Sequence, residues 1–424
     1  MKTTTRIIVT ALVLISGINL SKAQTSLQKD SIAMLASYSN EVYYSFTAGQ
    51  VASVARNQWD IAFRTNIMSS SILVNDGVGV TLYSYPKTDS SGWASAWDTT
   101  GFSTWSPLYN DPTDWENGAF SRTATGHPDY GWGVYNSITH DLRGDSCFLI
   151  KTRDGGFKRI FIARKISVNN TYIFRVANLD GSNSTEISFA CTPYMTKDFV
   201  GYDLQTMRAV DFQPAKNSWD ILFTKYMSVQ PDGTPYPVTG VLNNEGIGAS
   251  KFAQVPVSYN NWGPQEFDIS RSPIGWDWKY FDMNLFTYQV DDSLVYFLKN
   301  TEENVIKLVF ERFDGSSTGK VVFSRGIVSV VGTPEIDFST RKISTFPNPA
   351  CDLVNYTLSS SINGNATITI TDLAGRTMSS RNIAVRSGQT IIGNIDVSAL
   401  QSGLYLIDYQ VGTNRESHKL IIQK

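Results

Sequence analysis

The chain has 424 residues with a formal net charge of −2, and only 17 % of them are charged. That balance gives no electrostatic footing for nucleic acid or an anionic membrane surface, and no run beyond the N-terminal leader approaches the roughly 20 apolar residues that span a bilayer. Aromatic residues make up 12 % of the chain, including 20 Tyr and 10 Trp, a composition that favours β structure and aromatic-lined surfaces.

The first residues read as an export signal. Lys2 and Arg6 supply positive charge, residues 7–15 form the apolar segment, and Ser21-Lys22-Ala23 offers small residues before Gln24. No Cys sits near that cleavage site, so a lipid anchor at the new N-terminus is not expected. The remaining length suggests two or three domains, because single cores seldom grow past about 250–300 residues. Residues 30–39 read as a short helix, and period-two alternation dominates afterwards.

A nine-residue stretch occurs twice. Trp59-Asp60-Ile61-Ala62-Phe63 returns as Trp219-Asp220-Ile221-Leu222-Phe223, each copy preceded by an alternating run (Tyr43-Tyr44-Ser45-Phe46 and Gly201-Tyr202-Asp203-Leu204) and followed by Gly131-Trp132 or Gly275-Trp276. Markers recurring in one order predict a duplicated domain. As a strand, the first copy places Trp59, Ile61 and Phe63 on one face. Residues 147–151 and 157–165 then read as strands joined by a turn in which Asp154-Gly155 supplies a positive φ. The second copy repeats that hairpin at 294–299 and 305–312.

Residues 87–131 carry Trp93, Trp97, Trp105 and Trp115, which either pack a large loop onto the sheet or present a ligand-facing aromatic surface. Three Cys (Cys147, Cys191, Cys351) are too few for a disulfide framework, and Cys147 reads as a buried thiol. Asp-rich turns at 111–114, 180–182 and 314–316 read as Asx or hairpin turns, with Ca²⁺ binding as the alternative. From residue 344 onward short alternating strands with closely spaced turn signals predict a small C-terminal β-sandwich.

That tail, with Phe346-Pro347-Asn348-Pro349, Asp372-Leu373-Ala374-Gly375-Arg376, Gly403-Leu404-Tyr405 and a terminal Lys419-Leu420-Ile421, resembles the sorting domain of the type IX secretion system of Bacteroidetes-type bacteria. The resemblance implies engagement of that machinery, passage through the outer membrane, and release or attachment at the cell surface. The modules before it resemble the HmuY family of all-β haem-binding proteins. This rests on Trp59-Asp60-Ile61-Ala62-Phe63, on Phe148-Leu149-Ile150-Lys151-Thr152-Arg153-Asp154-Gly155 with Lys158, and on Phe174-Arg175-Val176-Ala177-Asn178-Leu179-Asp180-Gly181-Ser182; the second copy matches through Trp219-Asp220-Ile221-Leu222-Phe223 and Tyr296-Phe297-Leu298-Lys299. What it implies is a haem or related tetrapyrrole ligand.

Protein-held haem iron needs imidazole or thioether donors. Of three histidines, His418 falls in the tail, which leaves His127 and His140 as candidate metal ligands, with Trp132 and Tyr135 as ring contacts. On one continuous strand from 131 to 140 the ends lie about 30 Å apart at roughly 3.3 Å per residue. The two histidines therefore meet only if Gly126-His127-Pro128-Asp129 folds back over that strand. His140 also shares its parity with Trp132, Val134 and Ile138, an apolar stripe on which a histidine is a buried core residue. Met68, Met195, Met207, Met227 and Met283 remain as other donors.

No H-E-x-x-H, paired Cys-x-x-Cys, Gly-x-Ser-x-Gly or phosphate-binding Gly loop is present, so the expectation is a non-catalytic protein. The sequence thus predicts an all-β chain: a leader (1–23), two tandem β domains (24–195 and 196–335) and a β-sandwich sorting domain (336–424). It is expected to be secreted or held at the outer-membrane surface and to bind a small molecule, haem first. The rival is adhesion or glycan binding through the Trp-rich loop.

Overall fold

The computed structural model describes residues 27–328, 341–360, 364–386, 389–411 and 414–424, and the predicted leader lies outside them. The chain forms two compact units, one ending at Ser329 and the other beginning at Val330. Both are built of strands. Among the described residues every helical piece is a 3-10 turn of three to five residues, so the protein is all-β.

In the first unit, chain order gives β1 (Gln28–Ala33), β2 (Asn40–Ser45), β3 (Gly49–Ala55), β4 (Ile61–Arg64), β5 (Ile72–Val74), β6 (Thr81–Asp89), β7 (Gly133–Tyr135) and β8 (Leu142–Gly144). Next come β9 (Ser146–Lys151), β10 (Phe157–Ile166), β11 (Thr171–Asn178), β12 (Thr185–Ala190), β13 (Phe199–Asp203) and β14 (Arg208–Val210). The last are β15 (Ile221–Val229), β16 (Pro235–Asn243), β17 (Gly248–Ala253), β18 (Lys279–Asp282), β19 (Thr287–Val290), β20 (Leu294–Lys299), β21 (Val305–Phe313) and β22 (Lys320–Ile327).

The duplication is plain in the pairing. One module has a small sheet ordered β14-β13-β4-β5 and a large one in which β6, β9, β10, β11 and β12 pair in turn, with β8 and β7 added beside β10. The other has a small sheet β3-β2-β15-β16 and a large sheet β17-β20-β21-β22-β1. Strand for strand the orders correspond, with β1, β2 and β3 standing where β12, β13 and β14 stand in the first module. The expected boundary between 195 and 196 is therefore not where the sheets divide. Module one is continuous from β4 to β14, whereas module two joins β15–β22 to the N-terminal strands.

That closure is built from apolar burial. Ile32, Met34, Val42, Tyr44 and Phe46 enter the same core as Ile221, Phe223, Tyr296, Leu308 and Phe323. At about 1.5–3 kcal/mol for each large apolar side chain, these five contribute roughly 8–15 kcal/mol, as much as the whole net stability of a typical domain. The expected helix at 30–39 gives way to β1 and a short turn for the same reason. Six consecutive residues of β1 pair with β22, and tertiary pairing outweighs local propensity.

Alternation places the rest. On β21, Ile306, Leu308 and Phe310 face the module core while Val305 and Val309 join a cluster on the outer face. On β10, Ile160 and Ile162 point inward and Phe161 outward. The β9–β10 turn has Gly155 at φ 84°, a conformation that glycine adopts without a Cβ clash. Trp59 departs from the expected face. It lies before β4 and packs with Ala62, Phe212 and Trp219 between the modules, while Ile61 and Phe63 fill the module core. The second Gly-Trp also places its ring differently from the first: Trp132 is fully buried in its module core, whereas Trp276 borders the cluster between modules and Trp278 fills the second core.

The second unit holds β23 (Arg341–Phe346), β24 (Leu353–Ser360), β25 (Gly364–Asp372), β26 (Thr377–Val385), β27 (Gln389–Asp396), β28 (Gly403–Val411) and β29 (Asn414–Ile422). They form sheets β23-β24-β27 and β26-β25-β28-β29 around a core that includes Tyr356, Ile368, Ile370, Ile407, Tyr409 and Leu420. Its motifs have visible tasks. Asn348 donates to the Lys419 carbonyl and accepts from the Ile421 N–H, which fastens the opening segment to the last strand. Asp372 accepts from the N–H groups of Ala374 and Arg376, closing the turn at Gly375.

Candidate functional site

The predicted ligand residues fall on an exposed hairpin of module one. The expected strand from 131 to 140 is broken: β7 ends at Tyr135, a turn follows, and β8 begins at Leu142. His140 sits in that turn at φ 60° and is exposed, as are Val134 and Ile138. The buried core position read from parity is thus absent. The turn is held locally, since Asn136 accepts from the N–H groups of Ile138 and Thr139 and its carbonyl accepts from the His140 N–H.

The segment before β7 does fold back. Tyr135 N–H donates to the Pro128 carbonyl and Tyr130 N–H to the Gly133 carbonyl, which lays residues 126–130 along β7. His127 is carried beside Tyr135, with ring centroids 5.4 Å apart, and Tyr135 Oη meets His140 Nδ1 at 2.6 Å. Tyr135 therefore contacts both imidazoles, and Tyr130 completes the cluster 6.2 Å from His127. Trp132 is elsewhere. It is fully buried and its indole N–H donates to the Ser70 carbonyl, which makes it a core side chain. Among the described residues no group of three or more His, Cys, Asp or Glu is placed to hold a metal ion.

The Trp-rich segment packs onto the outer face of the large sheet. Trp97 stacks on Tyr85 at 4.1 Å and carries the Arg159 guanidinium 4.9 Å from its ring centroid. Trp93 meets Trp97 and Phe161, and Trp105 meets Tyr85 and Phe102. Trp115 leaves this group for the contact between modules. The three Cys are free, Cys147 and Cys191 being buried. Asp111 and Asp180 each accept from the amide and hydroxyl two residues on, as Asx turns do.

The repeated Trp-Asp pair proves to be a joint between strands. Asp60 accepts from the N–H groups of Arg153 and Leu204 and pairs with the Arg153 guanidinium at 2.7 Å; Arg153 also reaches Asp203. Asp220 accepts the Phe46 N–H at 2.6 Å. A second repeat supports both, Asn75-Asp76-Gly77-Val78-Gly79 against Asn244-Glu245-Gly246-Ile247-Gly248. The Asn75 amide donates to the carbonyls of Arg56 and Trp59, and the Asn244 amide to those of Lys216 and Trp219.

Where the two small sheets face each other, a cavity of about 70 Å³ lies among Glu41, Tyr43, Asp76, Tyr226 and Arg271. Glu41 is occupied by Tyr43 and Thr224, and Asp76 by the Asn110 amide and side chain. Burial pushes Asp76 up to about 7, with the Asn110 and Met227 amides and Arg271 opposing it. Burial likewise raises Glu41, and lifts Asp198 to about 6 against the pull of Arg64. Arg64 bridges Glu116 and Glu245. These residues come from segments far apart in sequence, and the second repeat was the one signal that linked two of them.

The second unit is placed by comparison. Residues 344–423 match the family model described as a secretion system C-terminal sorting domain. The tail is a type IX sorting domain. It indicates export by the type IX system, interaction with that machinery, and secretion or cell-surface localisation. No curated protein matches the chain. Among solved structures, dimeric latent PorU from Porphyromonas gingivalis is matched at 13 % identity and a TM-score of 0.19, over 67 % of this chain and 31 % of that one. At that score the likeness carries no argument.

Proposed function

We propose that the protein is an exported, non-catalytic binding protein of the HmuY-like, haemophore type, which captures a tetrapyrrole iron on the exposed hairpin of module one. The observation that carries this reading is the Tyr135 Oη to His140 Nδ1 hydrogen bond at 2.6 Å with the His127 ring beside it. Tyrosine oxygen and imidazole nitrogen are both haem-iron ligands. When Nδ1 accepts the phenol hydrogen, negative charge gathers on Oη, the character that a ferric-iron ligand needs. The donor set fits the group. Its setting is an open face, since residues 136–140 of the hairpin are exposed. Trp132, buried in the core, has no part in it.

Glycan capture is the lesser reading, because the rings that would stack on a sugar are engaged with protein, Trp97 with both Tyr85 and Arg159. Titration of the mature protein with ferric haem tests the proposal. The expected result is a Soret shift that is lost in Tyr135→Phe and His140→Ala and weakened in His127→Ala. No shift, or one that all three variants retain, overturns it.

A further inference from the structure

We propose that the cavity between the two modules is a binding site for a carboxylate, recognised by Arg271. The guanidinium of Arg271 lacks a bonded counter-ion. Arg271 is half-buried as a residue, yet its Nε is closed off from solvent and meets no acceptor, and among the described residues it makes no ion pair. Its position is fixed from both sides. The Arg271 N–H donates to the Thr113 carbonyl and its own carbonyl accepts from Asn243, while the guanidinium lies 4.6 Å from the centroid of Trp115. A planar fork held against an aromatic face is preorganised for a planar anion.

A second polar atom points to a missing partner. Tyr226 Oη is buried, lines the same cavity and has no hydrogen-bond partner, which is costly for a buried donor. None of the nearby acids forms an ion pair with Arg271: Glu41 and Asp76 are held by other donors, burial favouring their neutral forms, and Asp198 acts on it through space without a hydrogen bond. A carboxylate entering the cavity would take hydrogen bonds from both Arg271 and Tyr226. A cavity of about 70 Å³ is sized for a small group such as a carboxyl.

A groove lies against the cavity wall. An open groove of about 460 Å³, bordered by Pro107, Tyr109, Val229 and Pro235, shares Asn110, Pro112 and Met227 with the cavity. The carboxylate thus has two possible sources, a small free acid or the carboxyl end of a peptide lying in the groove. This site is separate from the Tyr135–His140 face and does not depend on haem.

Calorimetric titration of the mature protein with acetate, with the tripeptide Ala-Pro-Ala, and with the C-terminal amide of that peptide tests the inference. Binding of acetate identifies a small-acid site; binding of the peptide acid alone identifies a peptide terminus. In either case Arg271→Gln is expected to weaken binding at least tenfold and Tyr226→Phe several-fold. Should Arg271→Gln fail to fold, Tyr226→Phe and Met227→Trp, which fills the shared wall of the groove, give the decision. Binding of neither acid, equal binding of acid and amide, or affinity unchanged in the variants overturns the proposal.

Discussion

The two modules share one strand order and differ in how the chain completes it. Module one closes on itself, its last three strands following directly after β11, whereas module two waits for strands made at the opposite end of the unit. The equivalent aspartates differ as well. Asp60 is locked by an arginine in the β9–β10 turn, but the turn after β20 carries no basic residue in that place, and Asp220 is held by backbone and hydroxyl donors alone. A duplicated sheet can therefore keep its topology while changing both its connectivity and the chemistry of its joints.

The largest effect is expected from removing the closing strands. A chain lacking residues 27–55 loses the cooperative unfolding of module two while module one survives, as limited proteolysis and denaturant melts will show; moving the segment to follow residue 328 restores it. Next in size, Asp60→Ala takes one of two carboxylates from Arg153, Asp203 remaining, and leaves the buried Arg153 and Leu204 N–H groups unmet, which destabilises by about 3 kcal/mol or more. Asp220→Ala leaves only unmet donors and costs about 1–3 kcal/mol. Urea titrations giving equal losses would erase the distinction between the joints.

A smaller effect belongs to the contact between modules. Burial holds Asp76 at about 7 and Asp198 at about 6, above their ordinary 3.8. The folded protein thus keeps protons that the unfolded chain has released, and stability falls as pH rises from about 4 to 7. Asp76→Asn is expected to flatten that slope, measured by melts across the window. The smallest is at the hairpin. Tyr135→Phe keeps the half-buried ring and loses one exposed hydrogen bond, and His140 is exposed, so both variants stay within about 0.5–1 kcal/mol of the parent in stability, whatever they do to ligand binding.

What was legible in the sequence was local. The hairpin at 146–166 is written in alternation and in Asp154-Gly155, and the copied Trp-Asp stretch announces the duplication. The sharing-out of strands is not local: β2 precedes the first Trp-Asp copy and was expected in its domain, yet it pairs with the strand of the second. Parity failed at Trp59 because the chain turns its face at Asp60, and at His140 because the strand stops at Tyr135. The fold-back of His127 toward β7 was foreseen as a requirement, and its result, a tyrosine touching two imidazoles, needed coordinates. Arg271 had no signal at all, since its cavity gathers residues from both ends of the unit.

Cross-linking of β1 tests the closure of module two most directly. Lys29 lies opposite Ser324 of β22, a spacing that a disulfide can span, and the counterpart of β22 in module one is β11. With the three native cysteines replaced, Lys29→Cys with Ser324→Cys should form an intramolecular disulfide on mild oxidation, while Lys29→Cys with Arg175→Cys should not. A cross-link to β11, or none to β22, would contradict the account.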